Sequence, residues 1–245
     1  MADYAEIALT RSMSFLAETQ AAISNNLANV DSTGYKRRVS QALPVSTGFA
    51  SELGQRLGSV AYQERVDWSS GSLTPTGEPL HIALQGDGFL LVQNESGQQY
   101  LTRNGAMQVT PDGRLVNSVG EQFLDPDGAP ISLSVDAGLP RAEIKIAPDG
   151  SIAVGDLSLG QLGLFAKPEG ILTPVGQSRY RAPNNARPAL APDTRVSQSN
   201  LERSNVDALT EMVHMITVQR GFDASSRALM GLGNMKTQFI QAMNS

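Results

Sequence analysis

Two loops in the middle of this chain contain residue types that could hold a ligand. Residues 86–88 read Gly-Asp-Gly, and glycine-rich loops hold phosphate when they carry a Gly-Lys-Ser/Thr signature and lead into a helix. Neither feature follows here. Residues 125–128 begin like a calcium loop, but Ala129 and Pro130 stand where further oxygen ligands and the loop glycine belong. We therefore predict a hairpin turn at the first loop, and no cofactor or metal site at either.

Histidine and carboxylate side chains offer the remaining chemistry. His81 and His214 are the only histidines, and neither has a partner at metal-ligand spacing. Neither a Gly-x-Ser-x-Gly elbow nor a His-Glu-x-x-His motif occurs. A glycoside hydrolase needs two carboxylates roughly 5–10 Å apart, a requirement that many pairs of acids could meet. The acids considered are Asp67, Glu78, Glu95, Asp125 and Glu143. We expect most of them in turns or on solvated surfaces, and we predict no catalytic residue.

The charge of the chain is unevenly distributed. The formal net charge is −5 over 245 residues, and residues 1–38 and 201–245 each carry four acidic and four basic residues. Neutral ends can pack together while an acidic middle stays hydrated. No basic patch favours nucleic acid, and no apolar run approaches the ~20 residues that span a bilayer. Cysteine is absent, which excludes disulfides and thiolate metal sites.

The first part of the chain repeats apolar residues at heptad spacing. The successive intervals are 4, 3, 7, 4 and 3 residues, with Gln20 in the one polar slot. We predict a helix with a coiled-coil-like seam that ends near residues 29–32, where Gly34 supplies a left-handed stop. A surface helix packed on its own domain is the alternative. The predicted seam residues are Leu9, Met13, Leu16, Ile23, Leu27 and Val30.

A second amphipathic helix is predicted at the other end of the chain. It should start near Ser204 or Asn205, either of which can cap it. Gly221, Gly231 and Gly233 should weaken its interior, so we expect a register change or fraying there. Its methionines offer adaptable apolar surface, although a conventional helix pair would use them as core residues. The predicted seam residues are Leu209, Met212, Ile216, Leu232, Met235 and Phe239.

Between the helices, from about residue 80 to 200, the pattern is that of β-structure. A hairpin turn at residues 85–88 should join the first two strands. Pro-Asp-Gly turns at residues 111–113 and 148–150 should each connect a strand pair, because proline and glycine suit successive turn positions. Five prolines make the stretch 168–192 loop-rich. Strands are predicted at residues 81–84, 89–92, 100–103, 107–110, 114–117, 144–147, 151–154 and 161–166.

These elements predict the domain organisation. Residues 36–79 contain eight prolines and glycines, which exclude a long helix and indicate an extended connector with one strand near residues 60–68. The predicted fold class is α+β. A discontinuous α-helical, coiled-coil-like domain would be formed by residues 1–35 and 204–245, and a mainly antiparallel all-β domain would cover residues 80–203.

Three motifs carry a family resemblance. The first reads Asn-Asn-Leu-Ala-Asn-Val and then Gly-Tyr-Lys, the second is Gly-Asp-Gly-Phe followed by Tyr-Leu-Thr-Arg-Asn-Gly, and the third leads into the last helix. In this order, over nearly the whole chain, they resemble the bacterial flagellar rod, hook and hook-associated family. The residues that carry the resemblance are Asn25, Asn26, Leu27, Ala28, Asn29, Gly34, Tyr35, Gly86, Gly88, Phe89, Arg103, Gly105, Ser204, Asn205, Val206, Gln219 and Arg220.

The resemblance implies a structural subunit of the flagellar basal-body rod and not an enzyme. Within the family, the chain most resembles the proximal-rod subunit, which is related to the distal-rod protein. The terminal helices would line the rod, assemble helically, transmit torque and enclose the export channel. The implied partners are other rod subunits, proximal and distal, further copies of itself, and the flagellar type III export apparatus. A distal-rod subunit, a rod-associated peptidoglycan hydrolase and a transient assembly cap are the alternatives.

The expected location is the periplasm-spanning rod of the bacterial flagellum basal body. The acidic N-terminus lacks the basic and apolar regions of a secretory signal. We therefore expect export without a cleaved signal peptide. We expect no cofactor, no nucleic-acid partner and no membrane insertion.

Overall fold

The computed structural model has two compact units, each built from separate parts of the chain. The helical unit takes Met1–Asn29, Arg37–Asp67 and Val206–Ser245, and the β unit takes Val30–Lys36 and Trp68–Asn205. A helix near each end and antiparallel sheets between them confirm the predicted α+β class. The residues described are 2–44, 60–133, 144–183 and 188–243.

The helical unit is built on two antiparallel helices, α1 (Ala2–Ala28) and α2 (Ala208–Met243). Two contacts fix their register: Asn26 lies beside Glu211, and a Cβ on Gly221 would lie 3.5 Å from both terminal methyl carbons of Leu16. Because both helices rise by about 1.5 Å per residue, the start of α1 falls opposite about residue 235. The last two turns of α2 therefore extend beyond α1.

The side of α2 that packs on α1 differs from the stripe predicted for its first half. Leu209, Met212 and Ile216 are exposed, because small and polar residues occupy part of the side facing α1. Apolar spacing alone could not separate the two sides of a helix that is apolar on both. Gly221 and Ser226 of α2 are also of reduced exposure, and the other α2 residues of reduced exposure recur at intervals of 3, 4, 3, 4, 3, 4 and 3: Ala208, Glu211, Met215, Val218, Phe222, Ser225, Leu229 and Leu232.

Two expectations about α2 are wrong. The helix is continuous through Gly221, Gly231 and Gly233. At Gly221, packing against Leu16 offsets the low helix propensity of glycine. Its cap is Asp207, whose Oδ1 accepts a hydrogen bond from the Thr210 amide at 2.7 Å. Ser204 and Asn205 lie before the cap, so the predicted start is several residues early.

A hairpin completes the helical unit. Strands β1 (Arg38–Pro44) and β2 (Val60–Val66) pair antiparallel, from Arg38 opposite Val66 to Pro44 opposite Val60. The sequence predicted only the second strand, because the first lacks an unbroken apolar alternation.

The β unit consists of short antiparallel strands. The largest sheet has the order β14-β15-β6-β5-β9-β8-β7, with β13 also paired to β5; smaller sheets are β10-β11-β12, β16-β4 and β17-β3. The strands are β3 (Leu73–Pro75), β4 (Ile82–Gln85), β5 (Phe89–Gln93), β6 (Gln99–Thr102), β7 (Gln108–Val109), β8 (Leu115–Val116), β9 (Gln122–Phe123), β10 (Ile144–Ile146), β11 (Ser151–Val154), β12 (Leu157–Gln161), β13 (Leu164–Phe165), β14 (Thr173–Gly176), β15 (Arg179–Arg181), β16 (Arg195–Gln198) and β17 (Asn200–Glu202).

The predicted strand pairs at the Pro-Asp-Gly turns are confirmed, since β7 pairs with β8 and β10 with β11. The hairpin predicted at residues 85–88 is wrong: β4 pairs with β16 and β5 pairs with β6, β9 and β13. The predicted strand at residues 161–166 is divided between the end of β12 and β13. β14 and β15 lie in the stretch expected to be loop-rich. Pro174 is tolerated there because β14 is an edge strand.

The main apolar core of the β unit is one cluster of buried side chains. This cluster brings strands of the large sheet together with β10, β11 and β16. Folding of the β unit therefore requires contacts between residues that are far apart in sequence. Its members include Ile82, Leu84, Leu90, Val92, Phe123, Leu133, Ile152 and Val196.

Candidate assembly site

Within the helical unit, a buried asparagine connects α1 to the start of β1. The Asn26 Nδ2 donates to the Arg38 carbonyl at 2.8 Å, and the Arg38 amide donates to Asn26 Oδ1 at 2.8 Å. The side chain thus pairs with a backbone as a neighbouring strand would. The same Nδ2 lies 3.2 Å from Glu211 Oε2, so Asn26 connects α1, β1 and α2.

Glu211 is the charged centre of this helical junction. Its side chain is buried, and Arg37 Nε donates to Glu211 Oε1 at 2.5 Å. A buried carboxylate requires such a partner, because removing one member of a buried pair costs about 3–5 kcal/mol. The segment that follows α1 is therefore held against the start of α2 by charge as well as packing.

The β unit contains a second buried charge cluster, centred on Glu202 of β17. Lys36 Nζ lies 2.6 Å from Glu202 Oε1, and Arg103 Nε lies 2.8 Å from Glu202 Oε2. The Gly71 amide also donates to Glu202 Oε1, at 3.0 Å. All three charged side chains are at most 3% exposed, so one carboxylate neutralises two buried cations in part and joins three distant chain segments.

Arg103 also explains the loop that was predicted as a hairpin turn. Its Nη1 donates to the carbonyls of Gly86 and Gly88, both at 2.7 Å, and its Nη2 donates to the carbonyl of Leu84 at 3.0 Å. The loop wraps the guanidinium, which satisfies its donors, and does not reverse the chain for pairing of β4 with β5.

Two motif glycines are required by close backbone approach. Gly34 has φ +65°, and a Cβ there would lie 2.5 Å from the Arg103 carbonyl carbon. The Gly34 amide also donates to the Glu202 carbonyl at 2.8 Å. A Cβ on Gly105 would lie 2.1 Å from the Ile82 carbonyl oxygen. No other residue type fits either position without a backbone shift.

Four other charged partners in these junctions were missed as site residues, although the sequence analysis covered the segments that contain them. They are Lys36, Arg37, Glu202 and Glu211. The signal that could have found them is the position of a charged residue among small and apolar motif residues, since buried ions occur almost only with partners.

The predicted subunit-interface residues differ in exposure. On α1, Ile23 is buried, and Leu9, Met13, Leu16 and Leu27 are half-buried; Val30, also half-buried, follows α1 and belongs to the β unit. On α2, Leu232 is half-buried and the others are exposed.

Eight of the nine large exposed apolar residues of α2 form two groups, and the ninth, Met230, lies between them in sequence. The proximal stripe consists of Leu209, Met212, Val213 and Ile216, and the distal cluster consists of Met235, Phe239, Ile240 and Met243. Ile216 is 51% exposed and Phe239 is 66% exposed. At 3.6 residues per turn, these two side chains are rotated by roughly 140° from each other around the helix axis. The two groups therefore face different directions.

The remaining motif residues have local roles. The Asn25 side chain donates to the Ala21 carbonyl, and that of Asn29 donates to the Asn25 carbonyl. The Asn205 side chain donates to Ser69. Tyr35, Phe89, Ser204 and Val206 are buried, whereas Ala28, Gln219 and Arg220 are exposed.

Most of the groups considered for chemistry that the structure describes lie in turns or at exposed positions. Asp125 Oδ1 accepts from the amides of Asp127 and Ala129, as in a turn. His81 Nδ1 lies 3.0 Å from Thr76 Oγ1, and His214 is exposed. Glu143 lies outside the described residues. Within those residues, no group of three metal-ligating side chains occurs, and no helix is long and apolar enough to cross a membrane.

One carboxyl group of the β unit has a lowered pKa because of hydrogen bonds within its own turn. Hydrogen bonds from the Ser151 hydroxyl and amide lower the pKa of the Asp149 carboxyl. Asp149 belongs to the Pro-Asp-Gly turn between β10 and β11, so these hydrogen bonds stabilise the turn. They do not indicate a proton-transfer site.

The architecture defines a class of protein: a subunit whose distant ends pair as helices with exposed apolar residues and whose middle is a β body, with a buried ion cluster inside each of the two units. Family models match in the same order along the chain. The model described as flagella basal body rod protein matches residues 10–36, the flagellar hook protein FlgE/F/G D1 domain matches residues 83–154, and the flagellar basal body rod FlgEFG protein C-terminal model matches residues 197–236.

Curated relatives agree with these matches. The chain is 27% identical to the flagellar basal-body rod protein FlgF of Caulobacter vibrioides, over 97% of this chain and 96% of the relative. It is 31% identical to FlgF of Rhizobium meliloti, over 82% and 81%. It is 29% identical to the rod protein FlgG of Bacillus subtilis, over 84% and 86%. The chain belongs to the flagellar basal-body rod protein family, which confirms the resemblance in its motifs. It is a structural subunit of the rod of the flagellar basal body.

Proposed function

We propose that this subunit assembles helically through its terminal helices, as the proximal, FlgF-type subunit of the rod. The observation that carries the proposal is the pair of apolar surfaces on α2, the proximal stripe and the distal cluster, which α1 leaves exposed. Other rod subunits cover these surfaces, and the packed helices transmit torque and enclose the export channel.

The free energies of apolar burial and of association favour contacts with several neighbouring subunits over contact with one. Fully burying one large apolar side chain contributes about 1.5–3 kcal/mol. The four residues of the proximal stripe are 48–72% exposed, so covering them contributes roughly 3–7 kcal/mol. Association costs about 4–15 kcal/mol in lost translational and rotational freedom. One stripe alone therefore leaves little surplus. Helical stacking uses head-to-tail contacts, and two surfaces facing different directions suit two different neighbours.

A matched pair of substitutions tests this proposal. Ile216→Glu places a charge in the proximal stripe, and His214→Glu places the same charge on an exposed site two residues away, rotated by roughly 160°. We expect Ile216→Glu to reduce the recovery of the subunit in purified hook–basal bodies by tenfold or more, on the order of 1.4 kcal/mol per tenfold. His214→Glu should be recovered at the wild-type level. Equal recovery of the two variants would exclude the proximal stripe as an assembly surface.

The FlgF assignment is supported by the FlgF relative from Caulobacter, which aligns over 97% of this chain and 96% of its own length. Mass spectrometry of detergent-washed hook–basal bodies tests it, because a proximal subunit should be present in fewer copies than the distal one. A copy number equal to that of the distal subunit would favour the FlgG type.

We further infer that the subunit has no catalytic activity and that the flagellar type III export apparatus delivers it. Family membership supports both inferences. The buried carboxylates of Glu121, Glu202 and Glu211 each pair with a cation, which leaves these groups poorly suited to acid–base work. Release of soluble fragments from purified peptidoglycan by the pure protein would contradict the first inference. Normal secretion from cells that lack the export apparatus would contradict the second.

A further inference from the structure

The β unit is completed by a short segment from its C-terminal end. Residues 194–205, here called the closing segment, contain β16 and β17. β16 pairs with β4 along four residues, from Arg195 opposite Gln85 to Gln198 opposite Ile82, and it is the one strand paired with β4 in the described part of the chain. Because Ile82 and Leu84 on β4 are almost fully buried, an unpaired β4 would leave backbone groups of the core without partners.

The closing segment also fixes other parts of the unit. The Gln198 side chain donates to the carbonyls of Pro79 and Ile144, each at 2.8 Å. The Val196 amide donates to the Pro148 carbonyl at 2.9 Å. Segments that are distant in sequence are therefore joined by this one strand pair and its side chains.

Glu202 gives the closing segment its electrostatic role. Lys36 and Arg103 stand 166 and 99 residues before Glu202 in sequence, and both cations are buried in the completed unit. A chain that ends before Glu202 would have to bury two cations without a carboxylate. Burying unpaired charge is strongly unfavourable, so the incomplete unit has a reason to stay open.

We propose that the closing segment acts as a latch: the β unit does not fold until the chain up to residue 205 is present. Glu202 is the charged contact of this latch. A chain that emerges from its N-terminus, during synthesis or export, stays open until most of its length has appeared. An open chain suits passage through a narrow channel. This export benefit rests on the proposed function, whereas the latch itself rests only on contacts within the β unit.

The first test uses hydrogen exchange of the full-length protein. Glu202→Gln keeps the shape but removes the charge, and we expect amide protection in β5, β6, β10 and β11 to fall together by about a hundredfold or more. Glu95→Gln, at an exposed turn of the same unit, should change protection by less than about twofold, in line with surface substitutions. If Glu202→Gln lost amide protection only in β3 and β17, the latch proposal would be overturned, because the loss would reflect local fraying of these two strands.

A double variant separates a charge latch from simple loss of folding. Lys36→Met together with Glu202→Gln leaves one unpaired cation where Glu202→Gln alone leaves two. The double variant should regain protection by about tenfold over Glu202→Gln. The same comparison applies if Glu202→Gln shows no protection at all. Protection equal to or lower than that of Glu202→Gln would contradict the role of charge.

The second test follows the order of folding during synchronised synthesis of the full-length chain. Limited proteolysis at intervals should yield a protected β-unit fragment only after residue 205 has left the ribosome. A protected fragment that includes β5 and β6 before that time would overturn the proposal. Neither test involves a flagellum, so failure of the latch and failure of rod assembly in the Ile216→Glu experiment are separate results.

Discussion

The asparagine pairing at the end of α1 gives a sharp prediction about stability. In Asn26→Leu, the Arg38 amide and carbonyl both lose their partner, and Glu211 loses one donor. Each buried, unsatisfied polar group costs about 1–3 kcal/mol. The two backbone groups together should therefore lower the free energy of opening at this junction by about 2–6 kcal/mol.

Hydrogen exchange at the Arg38 amide measures this loss directly. At 1.36 kcal/mol per tenfold, a central loss of about 4 kcal/mol reduces protection by about three orders of magnitude. The matched control is Asn25→Leu, because Asn25 is exposed and its side chain bonds only within α1. The control should change protection by less than about threefold, since surface substitutions stay within about 0.5 kcal/mol. Equal losses in the two variants would refute the strand-like pairing of Asn26.

Three further changes test the packing and capping of the two units. Gly34→Ala should destabilise the β unit by at least about 2 kcal/mol in denaturant unfolding, whereas Gly120→Ala, also at positive φ but with open space around it, should show only backbone strain; equal losses would exclude the close approach at Gly34. Gly221→Ala should stabilise the helical unit by about 0.5–1 kcal/mol, because its new methyl group would make an ordinary contact, and a lowered melting temperature would contradict that packing. Hydrogen bonds from Thr210 lower the pKa of Asp207, so the cap stabilises α2 above the ordinary carboxyl pKa and its contribution is lost as pH falls through the lowered value. The protection factor of the Thr210 amide, which corrects for the intrinsic pH dependence of exchange, should fall over that range in the wild type and stay constant in Asp207→Ala.

The sequence predicted the elements whose signals are local. Heptad spacing located both helices, and the Pro-Asp-Gly turns located the β7–β8 and β10–β11 pairs, because turn geometry depends on adjacent residues. The pairing of β4 with β16 could not be read in the same way. Its partners are separated by about 110 residues, and the apparent hairpin signal at residues 85–88 belongs to a loop that wraps Arg103.

In the candidate site, too, local features could be predicted from the sequence and long-range contacts could not. The motifs lie in the regions that contain the two buried charge clusters. The reason for Gly34 became visible only with the backbone of Arg103 beside it. Glu202 and Glu211 carry no local signal for burial, because a glutamate in a strand or helix is usually solvated. The proximal stripe of α2 was identified by its apolar spacing. Spacing could not say that α1 would pack on the other side, since small and polar residues such as Ala208 and Ser225 form part of that contact.

The central claim is that the proximal stripe contacts a second subunit in the assembled rod. The chain has no cysteine, so Ile216→Cys introduces a sole thiol that can carry a photoactivated cross-linker. In purified basal bodies, we expect this position to cross-link to a terminal helix of another rod subunit, and His214→Cys to do so far less. Cross-links that favour His214, or that join Ile216 only to residues of its own chain, would contradict the account.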